Sequence, residues 1–164
     1  MTMDPIIAFN LDLILRIFVA ALLGGLIGLE REIRAKVAGF RTHSLVALGS
    51  AVFMILSMYG FGEMVNNPES MAIRLDVSRV AAQIVTGIGF IGGGAIILHK
   101  DKLRGLTTAA GLWVTASLGM VAGAGMYLFA VAITVLVLAC LEMPHLTKRF
   151  KGEHNPVKED DDLS

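Results

Sequence analysis

The stretch from Asp76 to Leu98, DVSRVAAQIVTGIGFIGGGAIIL, constrains this chain more than any other. Its part from Val80 onward is apolar over about the thickness of a bilayer's hydrocarbon core, given a helical rise of roughly 1.5 Å per residue. A membrane-spanning helix over residues 79–98 is therefore expected. Wound into a helix, Asp76, Arg79, Gln83, Thr86 and Gly87 share one side, while Gly89, Gly92 and Gly93 share the other. A charged or amide side chain facing lipid is costly, so the polar side must meet another helix, a partner protein or water. The bare side permits the close backbone approach of a Gly89-x-x-x-Gly93 contact.

With 55% hydrophobic residues and a mean hydropathy of +0.70, the 164 residues are too apolar for a soluble domain of this length, which implies one integral membrane domain built from helices. The formal net charge of zero argues against nucleic-acid binding. A single cysteine, Cys140, lies inside an apolar run, so an intrachain disulfide or a cysteine-based zinc motif is not expected. The opening MTMDP lacks the basic region of a secretory signal, and the apolar stretch behind it is long enough to stay as a span.

Five spans are expected, at about residues 6–29, 44–59, 79–98, 106–122 and 126–143, in one transmembrane domain over 1–143. Asp12 and Arg16 can pair at i, i+4 in the first span, and Gly24 and Gly28 near its end offer another small-xxx-small contact. Residues from Gly28 to His43 read as a short basic loop, Gly60 to Val77 as an exposed polar one, and His99 to Gly105 as a tight basic connection. Gly123-Ala124-Gly125 divides the last apolar stretch, and Pro144 is expected to end the fifth span near Met143. Residues 144–164 read as a disordered cytoplasmic tail, basic first and acidic at its end. With the N-terminus outside, eleven of the fourteen lysines and arginines fall on the inner side, which is the orientation that the positive-inside rule favours.

Gly87-Ile88-Gly89-Phe90-Ile91-Gly92 spells a dinucleotide fingerprint, but that site needs a preceding strand and an exposed helix start, and it is rejected inside a membrane span. Thr86 to Phe90 also resembles a potassium filter, but nothing supplies a pore helix, and close helix packing is favoured over ion conduction for these glycines. Glu30 and Arg31, with Arg41, Thr42 and His43 at the start of the second span, form a polar cluster at the membrane boundary. It reads equally as topology with helix capping by Thr42 or Ser44, or as a site for an anion, a lipid headgroup or a partner. Arg104, Thr107 and Thr108 open the fourth helix, where either threonine could cap it. Trp113 falls too deep for an interfacial belt and is expected to pack on the central helix. Glu30 at the inner boundary and Asp76 at the outer one cannot share one Mg²⁺, and Asp12 and Asp76 are expected to be neutralised by Arg16 and Arg79 instead. The four histidines lack metal-ligand spacing, and no Ser, His and acid arrangement suggests an enzyme.

GLERE (Gly28 to Glu32), AGFRTHSLVALGSAVF (Ala38 to Phe53), DVSRVAAQIVTGIGFIGGGAII (Asp76 to Ile97) and RGLTTAAGLWVTASLG (Arg104 to Gly119) resemble, in order, the signature blocks of the MgtC/SapB membrane proteins. The resemblance implies a bacterial inner-membrane protein of five spans with a cytoplasmic C-terminus. It also implies a link to growth under magnesium limitation and to pathogen survival in macrophages. Family members were first named Mg²⁺ transport proteins; the better-supported view makes them regulators of other membrane machinery, including the ATP synthase. Many append a soluble ACT-like domain, and these residues are expected to correspond to the transmembrane part alone. The resemblance marks Glu30, Arg31, Arg41, Thr42, His43, Asp76, Arg79, Gln83, Gly87, Arg104, Thr107, Thr108 and Trp113.

Two functions are thereby expected. One is a non-enzymatic regulator, without a cofactor, dimeric through a glycine face and engaging a membrane protein or lipid. The other is a small ion or solute transporter whose route is lined by Asp76, Arg79, Gln83 and Thr86. The missing inverted repeat favours the first.

Overall fold

The computed structural model describes residues 4–60, 77–99 and 102–150. They form five helices, α1 (Pro5–Ile33), α2 (Phe40–Tyr59), α3 (Val77–Gly94), α4 (Leu106–Gly123) and α5 (Tyr127–Phe150). A two-stranded hairpin, β1 (Ile97–His99) and β2 (Lys102–Arg104), lies between α3 and α4. By length and composition α1, α2 and α4 can cross a membrane, and Tyr127–Met143 of α5 makes a shorter apolar stretch. The chain is an all-α membrane bundle, with large side chains such as Ile14, Phe18 and Leu22 exposed on its outside, as lipid contact requires.

Local chemistry sets each helix end. Asp4 caps α1 by accepting from the Ile6 N–H at 3.0 Å, and Pro5, which has no N–H to satisfy, takes the first helical position. The 29 residues of α1 carry it past the expected end at Leu29, so Glu30 and Arg31 belong to its last turn and the loop shrinks to residues 34–39. The cap of α2 is not Thr42 or Ser44: Gly39 holds the cap position, and the Glu32 carboxylate accepts from the Phe40 N–H at 2.8 Å. Neither Thr107 nor Thr108 caps α4, where Gly105 stands at φ 90°.

The central helix also ends early. Three consecutive glycines, each costing about 1 kcal/mol of helix propensity, close α3 at Gly94, and residues 97–99 leave the expected span to pair antiparallel with 102–104, Ile97 opposite Arg104. Gly105 is required there, since its φ is left-handed and a Cβ would strike the Ala95 carbonyl. Conversely, α5 runs past the expected stop at Met143, through Pro144 to Phe150. A proline removes one N–H from the ladder without preventing the turns beyond it. Residues 61–76 and 151–164, and with them the expected polar loop and most of the tail, lie outside the described residues.

The centre is a three-helix packing of α1, α2 and α4 around Ala20, Leu23, Ile27, Ala47, Ala51, Leu118 and Ala122. Small residues bring the backbones together. A Cβ on Gly24 would lie 2.5 Å from Ala47 Cβ, one on Gly28 2.7 Å from the Gly39 carbonyl oxygen, and one on Gly123 2.7 Å from that of Ala51. Gly119 is pressed against the Ala47 carbonyl in the same way. The contacts of Gly111 with His43 and of Gly123 with Ala51 make α4 parallel to α2. α5 lies on α1 and α4, while α3 packs on α4 and α2, joined to α4 by Ile88, Leu112 and Ala116 and by Gly92 against Ala109. This path brings Arg34, Lys36, Arg41, Lys102 and Arg104 to one end of the bundle.

Gly119→Ala should destabilise the protein by about 1–3 kcal/mol, the usual cost of overpacking, whereas Gly89→Ala, which meets nothing within 4 Å, should be neutral or slightly stabilising. Reversible unfolding in mixed micelles distinguishes the two. Gly105→Ala should cost more than about 1 kcal/mol in the same measurement.

Candidate functional site

The polar residues singled out by sequence do not form one site; they separate into three places. The first is at the basic end. Arg31, only 3% exposed, is held by both oxygens of the neighbouring Glu30, with Arg31 Nη2 to Glu30 Oε1 at 2.6 Å and Arg31 Nε on Glu30 Oε2. A guanidinium so buried is tolerable only with a bidentate partner. Arg34 stands 3.6 Å from the same Glu30 and reaches across to α5, where its Nη2 donates to both oxygens of Glu142 at 2.7 and 2.8 Å. Those bonds to Glu142 raise the Arg34 pKa above its ordinary value, so this clasp between α1 and α5 stays charged.

His43 sits behind this cluster, 0% exposed between α1 and α4. Its Nδ1 lies 3.0 Å from the Gly39 carbonyl, which makes that nitrogen the donor, and its Nε2 has no hydrogen-bond partner among the described residues. A Cβ on Gly111 would stand 3.6 Å from that orphaned nitrogen.

The second place is the opposite end, where the sequence suggested only an Asp12–Arg16 pair. That pair is present at 2.6 Å, but Arg16 also donates to the Tyr59 hydroxyl at 3.2 Å and to the Gly123 carbonyl at 3.1 Å, and Tyr127 donates to Asp12 at 3.1 Å. One guanidinium thereby ties the middle of α1 to the ends of α2 and α4, and its carboxylate partner takes in the start of α5. The signal was available: the two tyrosines of the chain both stand at helix ends.

The third place is a slot of about 770 Å³ between α2 and α3. Arg41 and Thr42 line it near the basic end, Arg79 and Gln83 toward the other, with mostly apolar side chains between. This is where the polar side of the central helix points, and Gly87 lines it too. Thr86 does not join them, as it is exposed and its hydroxyl donates to the Ala82 carbonyl at 3.1 Å. Asp76 lies outside the described residues.

The remaining expectations resolve one by one. Arg104 and Thr107 are exposed at the hairpin and the start of α4, and Thr108 is buried. Trp113 is 50% exposed, beside a buried stripe of α4 made by Thr108, Gly111, Leu112, Thr115 and Ala116. A Cβ on Gly89 or Gly93 would meet nothing within 4 Å among the described residues, whereas one on Gly92 would stand 3.6 Å from the Ala109 carbonyl. Among the described residues no group of three or more His, Cys, Asp or Glu could hold a metal ion.

A family model described as the MgtC family matches residues 17–150. The protein named "Putative magnesium transporter YhiD" of Escherichia coli K12 is 48% identical over 144 residues, which are 87% of this chain and 66% of that protein. Protein MgtC of Salmonella typhimurium LT2 is 45% identical over 125 residues, 76% of this chain and 49% of that one. Protein MgtC of Brucella abortus is 46% identical over 120 residues, 73% and 46%. The chain thus spans about half to two thirds of the length of these relatives. No solved structure matches it.

Glu30→Gln should destabilise the bundle by about 3 kcal/mol, because it strands a buried guanidinium, and Glu142→Gln should change it far less, since that pair is open to solvent. Gly111→Ser, which brings a hydroxyl within reach of His43 Nε2, should raise the melting temperature above that of Gly111→Ala, the control for helix propensity alone.

Proposed function

Because the chain belongs to the MgtC family, we propose that it is a non-enzymatic regulator in a bacterial inner membrane, acting by contact with another membrane protein in adaptation to low magnesium. One observation carries this reading. The charged side chains drawn into the interior are paired at the two ends of the bundle, the buried hydroxyls of Thr115 and Thr134 donate to carbonyls of their own helices, and the core between the ends is built largely of Ala47, Ala51, Leu118, Ala122 and Ile27. Among the described residues such an interior offers packing and no continuous charged route. The faces left for a partner are outside, above all the Gly89 and Gly93 side of α3, beside a Phe90 that is 86% exposed. A second copy of the chain fits that face as a homodimer contact. By family resemblance the regulated protein is membrane machinery such as the ATP synthase, and a role in virulence comes with the same resemblance.

Transport is the second reading, favoured by the name that YhiD carries and by Arg79 and Gln83 along the slot. Liposomes holding the purified protein separate the two. The regulator reading expects no Mg²⁺ or monovalent-ion flux above empty liposomes, and flux that Asp76→Asn or Gln83→Leu abolishes would establish the transporter. Crosslinking in intact cells should recover a recurrent membrane protein; recovery of this chain alone would count against regulation. Gly93→Leu should split the dimer in detergent, and an unchanged mass would remove the glycine-face contact.

A further inference from the structure

The slot between α2 and α3 has the chemistry of a site for an amphiphile. Its volume of about 770 Å³ falls in the roughly 300–1,000 Å³ range of small-ligand sites. Since α4 is parallel to α2 and the hairpin turns α3 back against α4, α3 runs antiparallel to α2. Ile91 and Ile88 therefore stand level with Thr42 and Leu45, at the basic end, while Gln83 stands level with Ser50 and Arg79 with Phe53.

The half nearer the basic end is walled by Leu45, Val46, Ile88 and Ile91, and no charged group lines it until Arg41 at the mouth. Its floor is bare, because a Cβ on Gly49 or on Gly87 would meet nothing within 4 Å. Arg41 is exposed and makes no hydrogen bond or ion pair among the described residues, while the nearby Glu32 is occupied by the Phe40 N–H. A cation at one end and hydrocarbon walls behind it match a molecule with an anionic head and an apolar tail. A partner helix crossing the whole slot would have to accommodate Arg79 and Gln83 as well, and a lipid of one leaflet would not.

We propose that this half-slot binds an anionic glycerophospholipid from the leaflet at the basic end of the bundle. Its phosphate rests on Arg41 beside the Thr42 hydroxyl, and one acyl chain lies over Gly49 and Gly87 between Leu45 and Ile88. The inference goes beyond the regulator reading and needs no protein partner, so the two fail separately: crosslinking tests the partner, and lipid retention tests the slot.

The test is native mass spectrometry of the full chain, released from detergent holding equal amounts of phosphatidylglycerol and phosphatidylcholine with identical acyl chains. The protein should retain phosphatidylglycerol over phosphatidylcholine by about fivefold, the effect of one arginine near an anionic headgroup. Arg41→Gln should bring the ratio close to one and Arg41→Lys should keep most of it. Lys36→Gln, which removes an exposed cation at the same end but off the slot, should leave it unchanged. Gly87→Leu, which fills open space, should remove bound lipid of both kinds. Equal retention of the two lipids by the unaltered protein would overturn the proposal, as would an equal loss with Lys36→Gln and Arg41→Gln. Lipid retention untouched by Gly87→Leu would also overturn it. If Gly87→Leu instead splits a dimer or abolishes a crosslink, the occupant is a second copy or a protein.

Discussion

A guanidinium that is withdrawn from water must find carboxylates, hydroxyls or carbonyls, and two arginines of this chain meet that demand at opposite ends of one bundle. Arg31 meets it within its own helix, through Glu30, and the clasp is extended to α5 by Arg34 and Glu142. Arg16 meets it across helices, through Asp12, Tyr59 and the Gly123 carbonyl. Each cluster acts as a register pin: sliding α1 by one turn along α2 or α4 would strip Arg16 of Tyr59 and the Gly123 carbonyl, and sliding it along α5 would part Arg34 from Glu142. Pairing of this kind adds little net stability over an apolar alternative, but it penalises every misdocked arrangement heavily.

Between the pins the helices are held by contact alone. In a bilayer, apolar side chains gain nothing by leaving lipid, so association depends on how closely backbones can approach. Glycine and alanine supply that closeness where α1, α2 and α4 meet, at Gly24, Gly28, Gly119 and Gly123 against Ala47, Ala51 and the loop carbonyl of Gly39. The same logic explains why α3 is the loosest member. It packs through Ile88 and Gly92, and its other glycines face open space, leaving one outward face for a partner and one inward slot beside α2. The two ends are pinned and the side is open, a construction that suits a protein that is read by its neighbours in the membrane. Among the described residues His43 Nε2 and the Ser44 hydroxyl are the buried side-chain atoms that this packing leaves without a partner, and His43 lies where α2 passes Gly111 of α4.

The amino-acid sequence alone carried the membrane character, the number of helices and the family. These follow from properties that survive any docking: apolar length, the clustering of lysine and arginine, and residue blocks read letter by letter. It also carried the Asp12–Arg16 and Gly24–Gly28 spacings, because i, i+4 neighbours are adjacent on any helix. Helix ends were less legible. Glu32 capping α2 from the preceding helix, the glycine run that releases Ile97 into a hairpin, and the continuation through Pro144 each depend on what lies beyond the local stretch. Only the tertiary structure decided that the Asp12–Arg16 pair would gather two tyrosines and a carbonyl, that Trp113 would stand half-exposed, and that Arg41 and Gln83 would line one slot while Glu30 and His43 stayed outside it. Periodicity tells which residues share a side of a helix; it is silent on which side meets which neighbour, since that is settled by the fit of small residues and buried charges between helices far apart in the chain.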